Sequence, residues 1–152
     1  MPVSYRPLAL IVVCGLALAC TACNSNSKKI VGKWKMVSMI DKDGKEQKMD
    51  LMGMTPVMEF TSDGKLMVGL DTSNMPAEFR QKMEEDKEAV AKMSETKEVG
   101  KYKVSGSTLE FQDMKGSGDN PFGKKNRGTM KFNGDNLTLT GDDGTLNLTR
   151  LK

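Results

Sequence analysis

The reactive atoms of this chain are mostly sulfurs, and they fall in two places. Cys14, Cys20 and Cys23 all lie within the first 23 residues, and the remaining chain holds neither cysteine nor histidine. Without them the common nucleophile and base pairings cannot be assembled, so no enzyme is expected. The second place is MDLMGMTPVM, where Met49, Met52, Met54 and Met58 cluster. Thioethers are soft ligands suited to Cu(I). Their spacings do not repeat and no thiolate or imidazole stands nearby, so the segment reads first as an apolar flap in which methionine fills irregular gaps. No metal or other cofactor is expected. The carboxylate pairs Glu84-Glu85 and Asp142-Asp143 read as solvated charge on a helix face and in a turn. Residues 115–128, KGSGDNPFGKKNRG, are glycine-rich and basic but lack the spacing of a phosphate loop. They read as a loop at one end of the fold, with Lys124, Lys125 and Arg127 offering a weak attraction for anionic lipid or glycan head groups.

The cysteines sit at or just beyond an apolar run, Leu8 to Ala19, that follows a single positive charge, Arg6. That layout belongs to a secretory leader. The run is about a dozen residues long, whereas a bilayer-spanning helix needs about 20. Leu16-Ala17-Leu18-Ala19-Cys20 resembles the processing box of bacterial lipoproteins, departing from it at Ala17. Cys23, after Thr21-Ala22, is the alternative acceptor. The resemblance implies a signal peptide over 1–19 and a lipidated Cys20 carrying acyl chains such as palmitate, followed by a polar tether over 20–29. Each buried methylene contributes about 0.8 kcal/mol, which makes multiple acylation an effectively permanent anchor. The implied location is the bacterial cell envelope, with the outer membrane favoured because Thr21 is not an aspartate.

Elements that could position a site come from residues 30–152, enough for one domain. The formal charge of +3 falls to +2 without Arg6, and no basic block is interleaved with aromatics, so nucleic acid is not an expected partner. Asp63-Gly64, Ser105-Gly106, Asn133-Gly134 and Asp143-Gly144 each separate two short alternating runs, the signature of tight antiparallel turns. Eight strands follow, near 31–40, 56–62, 65–71, 98–104, 107–112, 128–133, 136–140 and 145–151. Alternation places Trp34, Met36 and Ile40 on one face, with Met58 and Phe60, Leu66, Val68 and Leu70, Tyr102 and Val104, Leu109 and Phe111, Met130 and Phe132, Leu137 and Leu139, and Leu146 and Leu148. One apolar and one polar face, built from sequential hairpins, predict an all-β, antiparallel, eight-stranded up-and-down barrel. A two-sheet sandwich is the other architecture open to this pattern.

One segment interrupts it. Asn74-Met75-Pro76 followed by AEFRQKMEEDKEAVAKMSE carries a capping residue, an early proline and strong helix formers, which predict an inserted helix over about 75–95. Phe79, Met83, Val90 and Met93 form its apolar stripe, suited to lying on the barrel or to meeting a partner.

Ile30-Val31-Gly32-Lys33-Trp34-Lys35 resembles the Gly-x-Trp opening of lipocalin-like barrels, and the terminal hairpins resemble bacterial lipocalin-like lipoproteins. The resemblance implies that Trp34 closes one end of the barrel with Arg150, from the last strand, packed on its ring. It also implies a pocket for a small hydrophobic ligand, for which Met36, Met58, Phe60, Tyr102, Phe111, Met130 and Phe132 are the candidate lining. The inserted helix departs from the family, whose main helix follows the eighth strand. An eight-stranded barrel can also be filled by its own side chains. The alternative is therefore a filled, non-enzymatic barrel that presents its helix and loop to a protein partner.

Overall fold

A computed structural model describes residues 23–84, 95–115 and 125–152. The wall begins with β1 (Gly32–Asp41), whose ten residues are long enough to serve two partners on one edge. Residues 32–35 pair with β3 (Thr55–Phe60), and residues 38–40 pair with the short β2 (Glu46–Lys48). The chain continues through β4 (Lys65–Asp71), α2 (Ala77–Glu84), β5 (Lys97–Ser105), β6 (Thr108–Gln112), β7 (Arg127–Asn133), β8 (Asn136–Thr140) and β9 (Gly144–Arg150). Each strand from β3 onward pairs antiparallel with the next, and β9 returns to pair with β1. Eight strands thus close an up-and-down barrel, as the alternation predicts, with β2 outside the circuit. Tight hairpins make this possible: Gly106 and Gly134 take φ of 60° and 58°, the left-handed conformation such turns require.

The apolar face becomes the core. Ile30, Trp34, Phe60, Leu66, Leu109, Leu137, Leu139, Leu146 and Leu148 are fully buried, each worth roughly 1.5–3 kcal/mol of transfer free energy. Cross-strand rows such as Phe132, Leu137, Leu148 and Met36 follow directly from the register. Outside, Thr138, Asn147 and Ser38 continue the rows as a hydrogen-bonded polar ladder.

Four sequence expectations need correction. Residues 23–29, expected as part of an extended tether, belong to a helix, α1 (Cys23–Ile30). Its last residue is buried in the core, and the Asn26 side-chain amide donates to the Gly106 carbonyl at 3.0 Å. Gly106 lies beyond β5, across the barrel from β1, so α1 crosses and caps one end. On β1 the face assignment fails after Met36, because a β-bulge between Met36 and Ser38 inserts Val37 and shifts the alternation. Met39, rather than Ile40, packs against the core. The third correction is β2, a fully exposed Glu-Gln-Lys strand without an apolar face to announce it. The last concerns the basic loop, whose end at Arg127 already belongs to β7. The inserted helix is seen as α2, and the rest of its expected span, including Val90 and Met93, lies outside the described residues. So do Cys14, Cys20 and Lys124.

Candidate functional site in the barrel interior

The end under α1 is organised by Trp34 and Arg150. The indole Nε1 donates to the Ile30 carbonyl at 2.6 Å, tying β1 to the last residue of α1. The Arg150 guanidinium lies 4.2 Å from the Trp34 ring centroid. Its Nη1 donates to the Val31 carbonyl at 3.0 Å, and Nη2 donates to the carbonyl of Lys29. One planar cation therefore caps an aromatic face and satisfies backbone acceptors at the helix end, which is the fork geometry lysine lacks. Gly32 makes room for it: a Cβ there would stand 2.9 Å from Nη1. The glycine, the tryptophan and the arginine are thus three parts of one closure. Phe132 adds a tilted contact with Trp34, ring centroids 6.0 Å apart.

Tyr102 also belongs to this end. Its ring meets Phe60 edge-on at 5.0 Å, and its hydroxyl donates to the Thr61 carbonyl at 2.7 Å. Burial, reinforced by the charge of Asp63, raises the phenol pKa and keeps it a neutral donor. A hydrogen bond from the Thr61 hydroxyl, with the Lys65 ammonium beside it, lowers the carboxyl pKa of Asp63.

Burial sorts the seven candidate lining residues. Met58, Phe60, Phe111 and Met130 are buried within the core. Tyr102 and Phe132 are half-buried at the α1 end, while Met36 is half-buried on the way to the far rim. All seven belong to or pack against the one core cluster. The incompletely buried apolar residues toward the far rim are Met36, Met39, Val68 and Val99, all packed against the filled core below them. Sequence reasoning misplaces Met39 and passes over Val99 because both neighbour irregularities. Val99 stands where the β4–β5 register shifts, between the Leu66–Gly100 and Met67–Glu98 pairs. The adjacent Gly100 is the one available signal, since glycine inside a strand often marks a bulge.

Outside the wall, where β2 and β3 part along the edge of β1, a cleft of about 310 Å³ is lined by Met36, Val37, Ser38 and Thr55 between Lys35 and Lys48. Met36 belongs to both the interior and this cleft, so the wall is thin at the bulge. Lys35 pairs with Asp71 at 3.0 Å. Hydrogen bonds from Ser73, then the Lys35 ammonium, lower the carboxyl pKa of Asp71. Hydrogen bonding and charge from Lys115 lower that of Glu98, which Lys65 also approaches at 3.7 Å.

The methionine cluster is divided: Met58 is in the core, whereas Met52 is 67% exposed. Among the described residues no group of three or more histidine, cysteine, aspartate or glutamate side chains could hold a metal ion. Lys125 is engaged with Asp142, in the turn between β8 and β9, at 3.0 Å. Comparison of the chain with protein-family models, with curated proteins and with solved structures returned no match.

Proposed function

We propose that this chain is a membrane-anchored, lipocalin-like lipoprotein of the bacterial envelope that holds a small apolar or amphipathic ligand in the far half of its barrel. The observation that carries the reading is the contrast along the barrel. Leu109, Leu137, Leu139, Leu146 and Leu148 are almost completely buried, while Met36, Met39, Val68 and Val99, packed against them toward the far rim, are only partly buried. Methionine suits such a place, because its unbranched, polarizable side chain adapts to different apolar shapes. The ligand is held without chemistry, by burial of its apolar surface against four aliphatic side chains. Anchoring is supported by the apolar leader and by Cys20 or Cys23 as acceptor, and Thr21, where Cys20 is the acceptor, favours the outer membrane.

The second reading, a filled barrel that binds a protein partner, is favoured by a different observation. Leu51 and Met52 are two-thirds exposed on the outer flap, and Phe79 on α2 is 46% exposed.

Native mass spectrometry of the processed protein, purified gently from cells, with lipid extraction of the same sample, separates the two. A bound mass that leaves on denaturation, together with uptake of the fluorescent probe anilinonaphthalene sulfonate that Met39→Trp abolishes, is the expected result. A bare protein mass and no probe uptake would overturn ligand binding and leave the partner-binding reading.

A further inference from the structure

We infer that the barrel stands on the membrane with its α1 end down, so that α1 is a docking surface for anionic phospholipid head groups and the ligand end faces away from the bilayer. The inference rests on the proposed lipidation and adds an orientation to it. Only Thr21 and Ala22 separate Cys20 from the first residue of α1, and Cys23 is itself that residue. Three Cα steps reach about 11 Å at full extension. Whichever cysteine carries the acyl chains, α1 is therefore held at the head-group layer.

The helix is not free to swing the barrel about. Ile30 is buried in the core, Asn26 is bonded to Gly106 on one side, and Arg150 grips the Lys29 and Val31 carbonyls on the other. A helix of eight residues, about 12 Å long, spans the barrel end between those attachments. A rigid cap tethered this closely fixes which end of the barrel meets the lipid.

Charge agrees with the assignment. Lys28 and Lys29 occupy the last turn of α1, both are exposed, and neither has an ion-pair partner among the described residues. Near them, Lys65 is balanced by Asp63 and Lys152 by Asp135. Two uncompensated ammonium groups within a Debye length of anionic head groups add attraction to the covalent anchor. The far rim, with the turn carrying Asp142 and Asp143, lies about 20 Å away along tilted strands. A ligand entering there comes from the aqueous side, handed over by a soluble carrier or by diffusion, rather than drawn directly from the bilayer beneath.

The test uses the full-length processed protein in vesicles of phosphatidylethanolamine and phosphatidylglycerol that contain head-group spin-labelled lipid. A fluorophore is placed at Ser107→Cys, in the turn beside Gly106, or at Asp143→Cys, at the far rim, with the non-lipidated member of Cys20 and Cys23 changed to serine. Intact mass of the same samples reports acylation. Severalfold stronger quenching at 107 than at 143, reduced by Lys28→Glu with Lys29→Glu, is the expected result. Equal quenching, or stronger quenching at 143, in acylated protein overturns the orientation while leaving the anchor intact. Absence of acyl mass overturns the anchored reading itself and the orientation with it.

Discussion

Replacing Arg150 by methionine keeps an unbranched apolar stem and removes the charge and the fork. The guanidinium sits over Trp34 at 4.2 Å, a contact worth about 0.5–2 kcal/mol. It also donates to two backbone carbonyls, each bond worth about 1.5 kcal/mol before discounting for partial exposure. Water can replace the donor at Lys29, which is exposed, but less well at half-buried Val31. The net loss for Arg150→Met is then about 3 kcal/mol, and about 1–2 kcal/mol for Arg150→Lys, which keeps a cation near the ring but cannot reach both acceptors. Urea unfolding followed by the fluorescence of Trp34, the only tryptophan, reads both variants directly. For a domain of this size the methionine variant should melt about 10 °C lower. A loss below about 1 kcal/mol for methionine, or equal losses for methionine and lysine, would refute the closure as argued.

Two further substitutions test other parts of the fold. Gly53 has φ of 79° and a Cβ there would strike the Asn74 backbone, whereas Gly44 has φ of 81° and open space around it. Gly53→Ala should cost clearly more than the roughly 1 kcal/mol of backbone strain expected for Gly44→Ala, measured by thermal unfolding of both. Asp71 has a depressed folded-state pKa, so its contribution is complete above its unfolded pKa of about 3.9 and is lost as pH falls through the lower folded value. Asp71→Asn should therefore lower the urea midpoint at pH 7, and that difference should shrink as pH falls below about 3.9.

Where the chain follows a strict two-residue period, the sequence reads correctly. Leu137 and Leu139, Leu146 and Leu148, and Leu109 with Phe111 all reach the core face assigned by alternation, because their strands are uninterrupted hairpin arms. The period cannot see an inserted residue, so everything on β1 beyond Val37 is shifted, and Met39 takes the inward place assigned to Ile40. It cannot see α1 either. Its Asn and Ser residues are middling helix formers, and a segment of eight residues would not hold a helix alone in water. Burial of Ile30 and the bonds from Asn26, Trp34 and Arg150 supply what the local sequence lacks. The Gly-x-Trp motif and Arg150 are legible as separate signals, but the reasons Gly32 is glycine, a φ of 127° and the guanidinium standing against it, appear only in the fold.

The two irregularities that defeat the alternation also stand beside the partly open apolar residues. Val37 bulges between Met36 and Met39, and the β4–β5 shift places Val99 near Val68. A bulge bends its strand and sharpens the local twist, and a wall bent outward leaves side chains that a straight wall would have closed together. Deleting Val37 tests this link. Met36 and Ser38 would become neighbours and the ladder to Leu148 and Asn147 would run without interruption, leaving Met36 and Met39 facing inward as before. The change removes one exposed side chain and the bond from the Met49 amide to the Val37 carbonyl, a cost of about 1 kcal/mol. With stability so nearly kept, uptake of anilinonaphthalene sulfonate should fall severalfold as the wall straightens over the far half. Uptake unchanged in a folded deletion variant would separate the bulge from the opening, and the half-burial of Met36 and Met39 would then need a cause elsewhere on the rim.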